Sequence, residues 1–162
     1  MPVSGKSRRR PEVAPAGLSE QAPLDLAGLD RNVAYVLRRA QIWTSQHIRQ
    51  TFAPSKVTPA QYGVLKLIEA NPGVAQGRVA IALGIERARL VNVIRRMRVG
   101  GLVTRKRSAT DGRKYELHLT AKGGRMIAHL DVLIGGHNKA VDERLGVQGR
   151  RQLLKILAGL AR

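Results

Sequence analysis

Cysteine is absent from these 162 residues. That excludes disulfides, thiol redox sensing and thiolate-ligated zinc. Aromatic residues are scarce, with one Phe, one Trp and three Tyr, so the place of each one is informative. Acidic residues are few as well: 11 Asp+Glu stand against 29 Lys+Arg, a net charge of +18. A chain this basic meets phosphate, in nucleic acid, on an anionic surface or in an anionic ligand. No apolar run reaches the ~18 residues of a membrane span. The basic N-terminus is not followed by the apolar core of a signal peptide. No membrane partner is expected, and a cytoplasmic location is. Enzyme signatures are missing too: no nucleophile elbow, phosphate loop or HExxH pattern occurs. The histidines His47, His118, His129 and His137 lack the spacing of metal ligands. No catalytic residue, cofactor or metal is expected.

What is present is a foldable basic chain, 43% hydrophobic. Its most informative stretch is GGLVTRKRSATDGRKYELHLT, from Gly100 to Thr120. Val103 to Arg107 leads into Ser108-Ala109-Thr110-Asp111-Gly112, a run of turn residues. Tyr115, Leu117 and Leu119 then alternate with Lys114, Glu116 and His118, the period of a half-buried strand. The hairpin carries Arg105, Lys106, Arg107, Arg113 and Lys114. A short hairpin cannot bury five cations, so they face solvent or a polyanion.

Around this hairpin the apolar period is helical. Residues 1–24 hold Arg8-Arg9-Arg10 and much of the proline, show no period, and read as a mobile basic arm. A helix is predicted from about Ala27 to Phe52, ended by Pro54. Thr58 and Pro59 suit the N-cap and first position of a second helix, with Val64, Leu65 and Ile68 as its buried stripe and Asn71-Pro72-Gly73 as its stop. Ala75 to Leu83 and Glu86 to Val99 form two helices around Gly84, a helix-turn-helix. In the second of these, Leu90, Val93, Ile94 and Met97 share one side. Ala88, Arg89, Asn92, Arg95 and Arg96 lie opposite. Arg pairs bidentately with guanine, Asn with adenine, and Ala touches a thymine methyl. Gln76, Arg87, Ala88, Arg89, Asn92, Arg95 and Arg96, with Arg105, Lys106, Arg107, Arg113 and Lys114 of the hairpin, are the expected DNA contacts. After Thr120 a long helix is predicted to about Leu145, an interruption at Gly146, and a last helix from Gln148 to Leu160.

The segments VTPAQYGVLKLI and GVAQGRVAIALGIERARLVNVIRRMRVGGLVTRKRSATDGRKYELHLTAKG resemble the MarR family of bacterial transcriptional regulators. The Asp111-x-Arg113 hairpin tip, Leu119-Thr120 and Lys122-Gly123 strengthen the match. Ala88-Arg89 departs from the small hydroxyl residues frequent in the family. The resemblance implies a mainly α fold with a small β-wing: a dimerisation helix over 25–56, a winged helix-turn-helix DNA-binding lobe over 57–120, and dimerisation helices over 121–162. It implies a homodimer that binds double-stranded DNA, with Arg113 in the minor groove and Asp111 orienting the wing tip. It also implies a ligand cleft, for which Arg38, Arg39, Trp43, His47 and Tyr62 are the candidates. The family's ligands suggest a small aromatic carboxylate or its coenzyme A (CoA) thioester. The expected function is a repressor released from a palindromic operator by such a ligand. A nonspecific architectural DNA-binding protein, and a small-molecule binder whose basic surface serves solubility, are the alternatives.

Overall fold

The computed structural model describes residues 24–108 and 115–160. The expected mobile arm (1–23 of it) and Asp111, Arg113 and Lys114 lie outside the described residues. The chain divides into two compact units, Met1–Leu37 and Arg38–Arg162. Helices and strands follow in the order α1 (Val33–Phe52), α2 (Pro59–Ala70), β1 (Val74–Ala75), α3 (Gln76–Leu83), α4 (Arg87–Val99), β2 (Val103–Arg107), β3 (Tyr115–Leu119) and α5 (Ala121–Leu160). The protein is mainly α with a small antiparallel sheet.

In the first unit, α1 starts at Val33, six residues later than Ala27. The reason is local. Ala27 and Gly28 are left-handed, Leu29–Arg31 forms a separate 3-10 turn, and Asn32 Oδ1 accepts from the Tyr35 N–H at 3.1 Å. Asn32 therefore caps the helix at this point, which fixes its start.

The second unit holds the core. Thr58 caps α2 through a reciprocal pair: the Gln61 N–H donates to Thr58 Oγ1 at 3.2 Å, and the Thr58 N–H donates to Gln61 Oε1 at 2.8 Å. Such a cap is worth ~1 kcal/mol. Val64, Leu65 and Ile68 of α2 are buried, as their spacing requires. They meet Val79 and Ala80 of α3, Leu90, Ile94 and Met97 of α4, and Leu117 of β3 in one cluster that also takes in Ile127 and Leu130 of α5. Gly84 closes α3 at φ 60°, a left-handed turn that lets α4 depart at a new angle.

The sheet order is β1-β3-β2. Residues Val103 to Arg107 pair with Leu119 to Tyr115 in antiparallel register. The third strand, β1, is two residues long and was not anticipated; Val74 pairs with Leu117 and Ala75 with Glu116. It ties the start of the helix-turn-helix to the hairpin. The α5 helix carries one break, at Gly146 (φ 70°, ψ 158°), the expected position of an interruption. Among the described residues no helix is long and apolar enough to cross a membrane.

Candidate functional site

The outward face of α4 follows from its inward one. Leu90, Ile94 and Met97 are buried, so Ala88, Arg89, Asn92, Arg95 and Arg96 are turned to solvent, and all five are exposed. Arg87 and Arg98 are exposed as well. Among the described residues, none of these arginines forms an ion pair with an acidic side chain. Their field therefore remains available to an incoming anion.

Three open clefts flank α4. Gln76 and Arg87 share one with Ile81 and Val91. Arg89, Asn92 and Arg96 share a second with Arg49 of α1 and the start of α2. Arg95 and Arg105 share a third with Arg98 and Thr104. The structure thus gathers the expected contacts of helix and hairpin around one element. Arg49 and Arg98 were not anticipated. Arg98 lies on the flank of the α4 projection, and only the adjacency of β2 makes it part of a cationic cleft. Lys106 and Arg107 are exposed on β2.

A different cleft, about 690 Å³, lies between α1 and the C-terminal half of α5. Its size is that of a small-molecule site. Arg39, Trp43 and Thr44 line one side; Arg144, Leu145, Gln152, Leu153 and Ile156 are among those on the other. The Arg144 guanidinium sits 4.1 Å from the centroid of the Trp43 ring, a cation–π contact. Behind Trp43, the His47 ring lies 5.3 Å away and is followed by His137 at 4.9 Å from His47. The two imidazoles share a hydrogen bond, Nδ1 to Nδ1, of 2.8 Å. One must donate and the other accept, so the pair holds only when at least one ring is neutral.

Comparison with known proteins places this architecture. A model of the MarR family matches residues 55–114. A protein of Thauera aromatica, described as a candidate transcriptional regulatory protein for the hcr operon, is 31% identical over 156 residues, spanning 96% of this chain and 92% of the relative. The chain belongs to the MarR family. The transcriptional repressor CouR, bound to a 23-mer DNA duplex, superposes with a TM-score of 0.84 at 37% identity, covering 87% of this chain and 100% of that one. CouR bound to p-coumaroyl-CoA gives 0.79 at 35% identity, covering 86% and 99%. The MarR fold makes the helix-turn-helix and wing a winged helix, and the protein a transcriptional regulator by family.

Within this MarR-family frame, the proposed ligand residues separate. Arg39 and Trp43 line the α1–α5 cleft, and His47 backs Trp43. Arg38 is exposed and does not line it. Tyr62 is elsewhere. Its ring meets Phe52 edge-on at 5.4 Å, and its hydroxyl donates to Asp131 at 2.7 Å. Burial, then the hydrogen bond to the Asp131 carboxylate, pushes the Tyr62 phenol up to about 12. Lys66 also reaches Asp131, at 3.2 Å, so Tyr62 belongs to a polar clasp between α2 and α5. Arg144 and Gln152 line the α1–α5 cleft. They lie about a hundred residues from Trp43 in sequence, and no local period could have linked them to it.

The histidine pair carries a pH dependence. Burial, and then the charge of His47, holds His137 below its usual 6.5. Trp43 also stacks near His137, with Arg144 over Trp43, and Thr51 Oγ1 lies 3.5 Å from His47 Nδ1. Above about pH 6.5 both states are neutral at this site and stability is unaffected. As pH falls through that value, the unfolded chain takes up a proton that folded His137 still refuses, so stability drops. We expect a lower unfolding temperature at about pH 5.5 than at about pH 7.5, with part of the difference removed in His137→Gln. Melts of the two proteins with equal acid sensitivity would exclude His137 as a cause.

Proposed function

We propose that this protein is a homodimeric repressor that reads a palindromic operator and is released by a small aromatic acid or its CoA thioester. The observation that carries the DNA reading is the exposed Arg–Asn face of α4 beside the basic strand β2, free of ion pairs among the described residues. Likeness to CouR on DNA supports it. Two such helices would enter successive major grooves, about 34–36 Å apart. Residues 57–120 serve as the DNA-binding lobe in this reading, and 25–56 with 121–162 as the dimerisation parts. Uncovered apolar side chains support that division. Leu29, Val33 and Val36 are exposed in the first unit. Leu153, Leu154, Ile156 and Leu160 are exposed at the end of α5 in the second. Arg113 and Asp111 keep the wing-tip roles expected of them.

The ligand reading rests on the α1–α5 cleft. An aromatic ring finds Trp43 and aliphatic walls there, and a carboxylate or phosphate finds Arg39 and Arg144. CouR's complex with p-coumaroyl-CoA is in keeping with that chemistry. Ligand and DNA oppose one another by favouring different dimer geometries, a population shift. A coupling of ~1–3 kcal/mol weakens operator affinity ~5- to 150-fold.

Trp43 is the only tryptophan, so its fluorescence reports on this cleft. Benzoates, hydroxycinnamates and their CoA thioesters should be titrated against that signal and against operator binding. We expect both to change over one concentration range, since coupling is reciprocal. Arg144→Ala should weaken the ligand ~10- to 150-fold, the scale of a lost charge-assisted hydrogen bond to its anionic group. Operator affinity without ligand should be unchanged. A ligand that releases DNA equally well from Arg144→Ala would move the pocket elsewhere. Equal affinity for operator and random duplexes would favour the architectural alternative.

A further inference from the structure

The base of the wing contains an aromatic side chain that the DNA-binding scheme above does not use. Along β2, Val103, Arg105 and Arg107 point to one face, because side chains alternate. Across the register, Leu119, Leu117 and Tyr115 oppose them on that face. Val103 and Leu117 are buried, so the face starts as core. It ends with two arginines and a tyrosine. A half-buried guanidinium is a poor neighbour for such a surface unless something replaces its lost water.

Tyr115 makes that replacement. The Arg105 guanidinium lies 3.4 Å from the centre of the Tyr115 ring. Arg105 Nε is buried and has no hydrogen-bond partner among the described residues. The ring face is thus its main compensation at that end. Arg107 stands opposite Tyr115 in the strand register, and its guanidinium holds the Tyr115 phenol below its usual range. One side chain therefore stands against both cations, stacked on Arg105 and opposite Arg107. Among the described residues neither arginine has an acidic partner. Arg105 also lines the cleft of about 470 Å³ that it shares with Arg95 and Arg98 of α4. Among the described residues no acidic side chain lines that cleft.

We infer that Tyr115 is a positioning residue, which fixes Arg105 beside Arg95 and Arg98 as a preformed site for a DNA backbone phosphate and holds Arg107 at its edge. This rests on the DNA-binding reading above and extends it to a contact independent of base sequence. Three guanidiniums on one cleft suit a phosphodiester, whose oxygens accept forked hydrogen bonds. A free arginine side chain must lose much rotamer freedom on binding. Tyr115 removes part of that loss beforehand, before DNA arrives.

The test compares wild type, Tyr115→Phe, Tyr115→Leu, Arg105→Ala/Arg107→Ala, and the triple variant combining Tyr115→Leu with both alanines. Affinity for one duplex is read by fluorescence anisotropy over a salt series, with thermal melts and sedimentation as controls. Tyr115→Leu should weaken binding roughly tenfold, the scale of restored arginine freedom. Its salt slope should be nearly unchanged, since the cations are still present. Tyr115→Phe keeps the stack and loses only the hydroxyl, so its loss should be smaller. The arginine pair variant should lower the log–log slope by up to ~2. In that background Tyr115→Leu should add less than about twofold, because nothing is left to position. Wild-type affinity in Tyr115→Leu would overturn the inference. So would an equal tenfold loss with and without the arginines, which is the mark of a general structural role. Wild type that binds no duplex at all would overturn the DNA reading itself, a result distinct from either.

Discussion

Gly123→Ala should be among the most destabilising single-methyl changes in this chain. A β-carbon built on Gly123 would stand 2.1 Å from the Leu102 carbonyl oxygen and 3.1 Å from its carbonyl carbon. Neither is the loose end of a side chain. The oxygen is held by the Thr120 N–H at 3.1 Å and by the Thr120 hydroxyl at 3.2 Å. Thr120 Oγ1 in turn accepts from the Gly123 N–H at 2.9 Å. Relief of the clash must therefore move the start of α5 away from the α4–β2 junction and break the bonds that join them. We expect a loss of ~3 kcal/mol or more, at the upper end of overpacking costs. Gly124 is the internal control. It is helical, with open space where its β-carbon would go, so Gly124→Ala should gain up to ~1 kcal/mol. Urea unfolding of the two variants separates them; equal stabilities would contradict this packing.

The second large effect is on recognition. Arg89→Ala combined with Asn92→Ala should abolish discrimination between operator and random DNA. Each residue is exposed, on the side of α4 opposite buried Leu90 and Ile94. Each bidentate base contact is worth ~1–3 kcal/mol of discrimination. Stability should stay within about 0.5 kcal/mol of wild type, because no core contact is lost. The cations that remain on α4 and β2 should preserve weaker, strongly salt-dependent binding.

The two residue pairs also show what a sequence can disclose. The sidedness of α4 was legible, because a 3.6-residue period sorts Leu90, Ile94 and Met97 from Arg89 and Asn92 without any partner. The α2 cap was legible for a similar reason, since Thr58-Pro59 acts within one turn. Gly123 and Gly124 looked alike, as two small residues at a helix start. Only the approach of Leu102 makes one of them indispensable. Strand β1 has two residues and no alternation, so its existence depends on pairing with Leu117. Trp43 and His47 could be placed together by their four-residue spacing. His137 and Arg144 joined them only through the fold. Tyr62 was drawn to that group by its rarity as an aromatic, whereas its hydroxyl is engaged by Asp131.

In this account α4 is the element that reads base sequence. The most direct measurement is selection of bound duplexes from a randomised pool, carried out with wild type and with the Arg89→Ala/Asn92→Ala variant. Wild type should enrich an inverted repeat whose half-site centres lie about one helical turn apart. The variant should retain DNA yet enrich no such repeat. A wild-type pool that stays indistinguishable from the input, despite retained DNA, would contradict the claim and leave a nonspecific binder in its place.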